Sequence, residues 1–163
     1  MNYIYLYSLK LKDQMLHKEF SFIKANIQHL EKEDLKVSKG NVGWHLDHSL
    51  KVINSVYENI KESKPANYEK KFNLLRLVTF TLRSFPRGKA KSPKRVLPPE
   101  IILKEDVENQ LGEAIKNLEI IGGFDENQFF THPLFKQLNK KQTIKFLGLH
   151  TNHHLKIVKE ILK

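Results

Sequence analysis

Residues 139–163 read NKKQTIKFLGLHTNHHLKIVKEILK. Within this stretch Leu147, His150, His154, Ile157 and Ile161 recur in steps of 3, 4, 3 and 4, the spacing of one face of an α-helix. Asn139, followed three residues later by Gln142, has the form of a capping box, so the helix is expected to start there and run almost to Lys163. Leu and Ile hold three positions of the stripe, and His150 and His154 hold the other two. A buried imidazole left without partners costs about 1–3 kcal/mol per unsatisfied group, so two of them in place of core residues require a reason. The i,i+4 spacing supplies one, because rings on adjacent turns can chelate a single ion. No Glu follows the first His, which excludes the H-E-x-x-H zinc-protease arrangement. The plainer alternative is a pair of core histidines satisfied by backbone carbonyls or a carboxylate.

The same periodicity extends upstream. Leu16, Phe20, Ile23, Ile27 and Leu30 mark one face of a first helix. KEDLKVSKGN closes it, and Asn41 is the expected N-cap of a second helix carrying Leu46, Leu50, Ile53, Tyr57 and Ile60. Pro65 ends that helix. The stretch KFNLLRLVTFTLRSF admits a helix on Phe72, Leu75, Thr79 and Leu82, or a strand on the alternation of Leu75, Leu77 and Thr79. The helix is favoured, since a lone strand would leave its backbone groups unpaired. PRGKAKSPKRVLPP (86–99), with four prolines, five basic residues and no acid, reads as a loop. A further helix bears Val107, Leu111, Ile115 and Leu118 and is stopped by Gly122-Gly123. FDENQFFTHPLFKQL reads as a long connection. Four main helices and one extra helical segment make an all-α fold, a four-helix bundle with a long crossover.

The 163 residues are room for one domain, 1–163, with a core of ordinary size. Hydrophobic residues make up 40% and charged residues 28%, the balance of a globular chain. The absence of Cys excludes a disulfide framework, Cys-ligated zinc, an iron–sulfur cluster and a thiol nucleophile on the protein. No apolar run reaches the roughly 18 residues needed to span a bilayer, so no membrane is expected as a partner. The opening MNYIYLYSLK lacks a basic start and a small-residue cleavage site. A signal peptide is therefore not expected, and the cytoplasm is the default compartment. The net charge of +10 admits anionic partners without naming one.

Two imidazoles do not complete a metal site; catalytic zinc sites usually have three protein ligands and one open position. WHLDHSL, at the start of the second helix, offers His45 or His48. His45 lies nearer the Leu46–Leu50–Ile53 stripe, while His48 shares a row with Trp44 and Val52, and periodicity leaves the choice open. His153 is an alternative to His154, although its flank with Leu149 and Lys156 favours solvent or a place behind the ligands. His17 and His29 fall off the first stripe and read as surface residues. His132, before Pro133, is expected to fix a turn. Asp47 reads as an exposed or capping acid. His45 is the better candidate to back the ligands and to accept or donate a proton near pH 7. Trp44 reads as core packing, with the pocket wall as the alternative.

WHLDHSL early, HPLFKQL before the last helix and HTNHHLKI within it together resemble the DinB/YfiT-like metalloenzyme family, closest to a branch known as a domain of unknown function. The resemblance covers nearly the whole chain. It implies an up-down-down-up four-helix bundle that binds a divalent metal through three histidines, which fall here on His48, His150 and His154. Lys136 departs from the branch, which often has Gly there. The family's name invites a DNA-polymerase reading that nothing in the sequence supports.

The resemblance implies a transferase or isomerase using a low-molecular-weight thiol as cosubstrate. Hydrolysis is the other reaction such a site would run, with zinc or nickel as the favoured ion. The chain's lack of Cys means that any thiol comes from a small-molecule substrate. Two further classes remain: a bundle whose ion is structural and serves binding, and a nucleic-acid-binding protein using Arg83, Arg87, Lys89, Lys91, Lys94 and Arg95. The latter is not favoured, because only Phe85 is available for base stacking and a solvated loop is the commoner meaning of such a run. A rim that draws in an anionic cosubstrate is a further reading of that loop. A homodimer is compatible with the sequence.

Overall fold

A computed structural model describes residues 16–85 and 92–163. The opening MNYIYLYSLK and residues 86–91 of the basic loop lie outside them. Five helices are present among the described residues: α1 (His17–Asn26), α2 (Val42–Glu62), α3 (Leu74–Leu82), α4 (Lys104–Gly122) and α5 (Lys140–Ile161). Single 3-10 turns occur at Ile27–His29, Pro65–Asn67 and Lys94–Val96.

α2 is the centre of the assembly. It packs along α4 and α5, and α1 packs on the same two helices. The stripes read from the sequence face this core. Leu16, Phe20, Ile23, Ile27 and Leu30 are buried, as are Leu46, Leu50, Ile53, Tyr57 and Ile60. Asn41 caps α2 by accepting the Trp44 amide at 2.8 Å. The corner between α1 and α2 is tight: the Gly43 amide donates to Leu30 O at 2.8 Å, and a Cβ on Gly43 would lie 3.1 Å from that oxygen. In α4 the inward row is Val107, Leu111, Ala114, Leu118 and Ile121; Ile115, assigned to that row from the sequence, is partly exposed. The capping box at Asn139 and Gln142 forms with both of its hydrogen bonds.

Two expectations are corrected. The connection before α5 contains an antiparallel hairpin, β1 (Phe129–His132) and β2 (Lys136–Asn139), so the chain is mostly helical rather than wholly so. Its register pairs Phe130 with Leu138, both buried under α2 and α5, and His132 with Lys136. His132 does fix the turn, for its Nδ1 accepts the Leu134 and Phe135 amides at 3.1 and 3.2 Å. Lys136 takes a left-handed backbone (φ 60°), a conformation that favours glycine.

The second correction concerns α3. The helix forms, capped by Asn73, but the assigned stripe points the wrong way. Phe72, Leu75 and Leu82 are exposed, and Thr79 with Phe80 makes the buried contact. Arg76 ties α3 to the hairpin by donating to the carbonyls of Lys71 (2.6 Å), Gln137 (3.0 Å) and Phe135 (3.3 Å).

Candidate metal centre

The rings of His48, His150 and His154 meet between α2 and α5. One nitrogen from each lies within 4.8 Å of the others, close enough to hold a single ion. Ring centroids are 5.3 Å apart for His48 and His150, 4.8 Å for His48 and His154, and 4.7 Å for His150 and His154. His150 and His154 reach this point from successive turns of the α5 stripe. His48 comes from the first turns of α2, where nearly every residue from Val42 to Leu50 is buried.

Two of the three rings are held from behind. His48 Nδ1 donates to Val96 O at 2.7 Å, which leaves Nε2 with its lone pair. Trp44 stacks on the His48 ring at 4.9 Å. His154 Nδ1 lies 3.0 Å from His45 Nδ1, and His45 Nε2 lies 2.9 Å from Ser38 Oγ. Ser38 Oγ also accepts the Gly40 amide at 3.1 Å. The proton assignment that frees His154 Nε2 for an ion runs from His154 Nδ1–H to His45, and from His45 Nε2–H to Ser38. His150 Nδ1 is buried and has no hydrogen-bond partner. An orphaned ring nitrogen beside two rings with free lone pairs fits a cation held by all three.

Electrostatics agree with neutral ligands. Burial lowers the pKa of His48, with the Val96 carbonyl pulling the other way. Burial, then repulsion from the neighbouring imidazoles, holds His150 and His154 well below the usual histidine value. Near pH 7 these rings are uncharged, the form that binds metal.

The cluster forms the floor of a cavity of about 900 Å³. Trp44, Phe85 and Ile157 line it, with Leu75 and Leu134 at its mouth, and no carboxylate lines it among the described residues. Trp44 thus lines the pocket and does not simply fill the core. His153 is half-buried on the wall, edge-on to Phe85 and His154. Both His45 and His48 are buried, so the choice that periodicity left open is settled by orientation: His48 joins the cluster and His45 backs it. Asp47 is not exposed. It is buried between Lys51 Nζ at 2.7 Å and Gln110 Nε2 at 2.8 Å, on the far side of α2 from the cavity.

Two contributors had no mark in the sequence: Ser38 and the carbonyl of Val96. The described part of the basic loop brings that carbonyl in. Lys94–Val96 makes a turn with Val96 buried, whereas Lys94 and Arg95 face solvent. No family model, curated protein or solved structure matches the chain. No helix among the described residues is long and apolar enough to cross a membrane.

Proposed function

We propose that the protein is a DinB-like metalloenzyme that holds one divalent ion, zinc or nickel, on His48, His150 and His154, and that it transfers a low-molecular-weight thiol to an electrophile. The observation that carries the reading is the convergence of three neutral imidazoles at the floor of an open cavity. The architecture this implies is a bundle of α1, α2, α4 and α5 in up-down-down-up order, with α3 on the crossover and the hairpin on the last connection. An ion bound by three neutral imidazoles keeps its positive charge and, with a position open, acts as a Lewis acid that lowers the pKa of a thiol or of water.

The chain's own groups prepare that position. Val96 O and His45 fix the protons on His48 and His154, so that each ring offers a lone pair without having to rotate. Trp44 and Phe85 keep the floor apolar, which strengthens charge interactions there. Among the described residues the cavity wall carries imidazoles and Lys39 and no acid, a lining that suits an anionic ligand such as a thiolate. Among the described residues of the wall the imidazoles are the groups suited to exchange a proton with a substrate near pH 7.

Elemental analysis of the protein as purified, before any chelator, tests the ion. One equivalent per chain is expected, falling to near zero in His150→Ala; unchanged stoichiometry overturns the reading. Loaded protein should then consume a small thiol together with an alkylating electrophile. Hydrolysis of an ester without thiol consumption would favour the hydrolase reading of the same site.

A further inference from the structure

The outer face of α3 contradicts ordinary surface chemistry. At 100° per residue, Leu77, Leu74, Val78, Leu82 and Leu75 sweep an arc of about 160° broken only by Thr81. All five are exposed, Leu74 by 63% and Leu82 by 69%. Phe72 extends the face at one end, and Leu134 lies beside it, its carbonyl accepting Asn73 Nδ2 at 2.9 Å. Isolated surface leucines are ordinary, but a continuous stripe on one short helix marks a docking surface.

The charges around this face choose its occupant. No Asp or Glu occurs between residues 70 and 99. Lys70 and Arg83 are exposed at the two ends of α3, and Lys145 runs alongside, its Nζ 5.4 Å from the Phe80 ring. Lys39 lines the same cavity as Leu75 and Leu134. Arg76 is committed to backbone carbonyls and contributes no free charge. A two-fold contact with a second copy would set these cations against themselves in a chain of net charge +10. Nucleic acid would use the cations but leave the leucine stripe in water. An apolar stripe rimmed by Lys and Arg is the chemistry of a helix lying in the surface of an anionic bilayer, with its leucines among the acyl chains and its cations at the headgroups.

We infer that α3 docks the protein on a phospholipid surface of net negative charge, the leucine stripe entering the interface and Lys70, Arg83 and Lys145 meeting the headgroups. Leu75 and Leu134 belong both to this face and to the cavity mouth, so the docked protein would open its cavity towards the lipid. The sequence expectation of no membrane partner rested on the absence of a spanning segment, which does not bear on a helix lying in the surface.

Cosedimentation of the full chain with vesicles tests the inference. The protein should pellet with phosphatidylcholine vesicles containing phosphatidylglycerol and stay in the supernatant with phosphatidylcholine alone. Binding should weaken as salt is raised. The double variant Leu74→Glu/Val78→Glu should lower binding at least about tenfold, and Arg83→Gln about fivefold. Leu82→Gln gives a second, neutral lesion on the stripe, and helical circular dichroism with unchanged metal content confirms that each variant is folded. Failure to pellet with any vesicle overturns the inference, as does pelleting indifferent to the leucine changes. A dimer in solution that Leu74→Glu/Val78→Glu splits, without lipid binding, assigns the face to a second copy. RNA binding lost in Arg83→Gln but kept in the leucine variants assigns it to nucleic acid. Either result overturns the inference while leaving the metal centre untouched.

Discussion

α5 and α3 break the same rule in opposite directions. α5 places His150 and His154 in its inward stripe, where Leu or Ile would pack better. α3 turns its leucines outward and buries Thr79. On the readings proposed above, an ion would complete polar groups that the chain leaves unsatisfied in the first case, and a surface would cover apolar groups in the second. Departures from consistent patterning concentrate where something outside the chain finishes the structure. The two departures meet at one cavity, with imidazoles on its floor and leucines at its mouth.

The comparison breaks most sharply at His154. His154→Leu should abolish stoichiometric metal binding, measured by elemental analysis. The same change exchanges the hydrogen bond to His45 for apolar packing, so the metal-free fold should shift by no more than about 1 kcal/mol in urea. A metal-free protein destabilised by several kcal/mol would mean that the ring serves the core rather than an ion.

Next in size is the brace behind the ligands. His45→Ala removes the partner of His154 Nδ1 and should weaken metal binding about 10–100-fold in a competition titration, with stoichiometry at saturation unchanged.

His132 sharpens the comparison from outside the cluster. Burial lowers its pKa to about 4. The unfolded chain takes up this proton first, at its ordinary value near 6.5, so the stabilisation is complete above that pH and is lost as pH falls towards 4. The loss is roughly 2 kcal/mol, allowing for the ring's partial exposure. His132→Asn retains an acceptor for the turn and should flatten the acid limb of a stability–pH curve.

A smaller effect belongs to the backbone. Lys136 occupies a left-handed conformation, and Lys136→Gly should raise stability by up to about 1 kcal/mol in thermal unfolding. The smallest effect is expected on α3 itself, where Leu74→Glu/Val78→Glu should change folding stability by no more than about 0.5 kcal/mol because neither side chain touches the core.

These differences explain what the sequence disclosed. α5 was legible because its 3-4 rhythm and the Asn139–Gln142 box agree, and two of the three clustered rings came with it. The third stayed ambiguous because α2 is buried almost all round at its start, so His45 and His48 look alike to any periodicity. α3 could be recognised as a helix but not oriented, since apolar residues lie on both its faces, the leucines on one and Phe80 on the other. The hairpin hid because its strands have four residues each and its left-handed turn position carries Lys instead of the glycine that announces such a turn. Asp47 was misplaced because its partners, Lys51 and Gln110, include one that only the packing of α4 on α2 brings near.

The hydrogen bond from His48 to the carbonyl of Val96 has a consequence for how this protein can vary. A main-chain oxygen is common to every amino acid, so substitutions at the exposed Lys94 and Arg95 can recolour the rim without disturbing the ring beneath it. Inserting or deleting a single residue there would shift that oxygen by a whole peptide unit and unseat the imidazole. Such a segment tolerates drift in spelling and resists change in length.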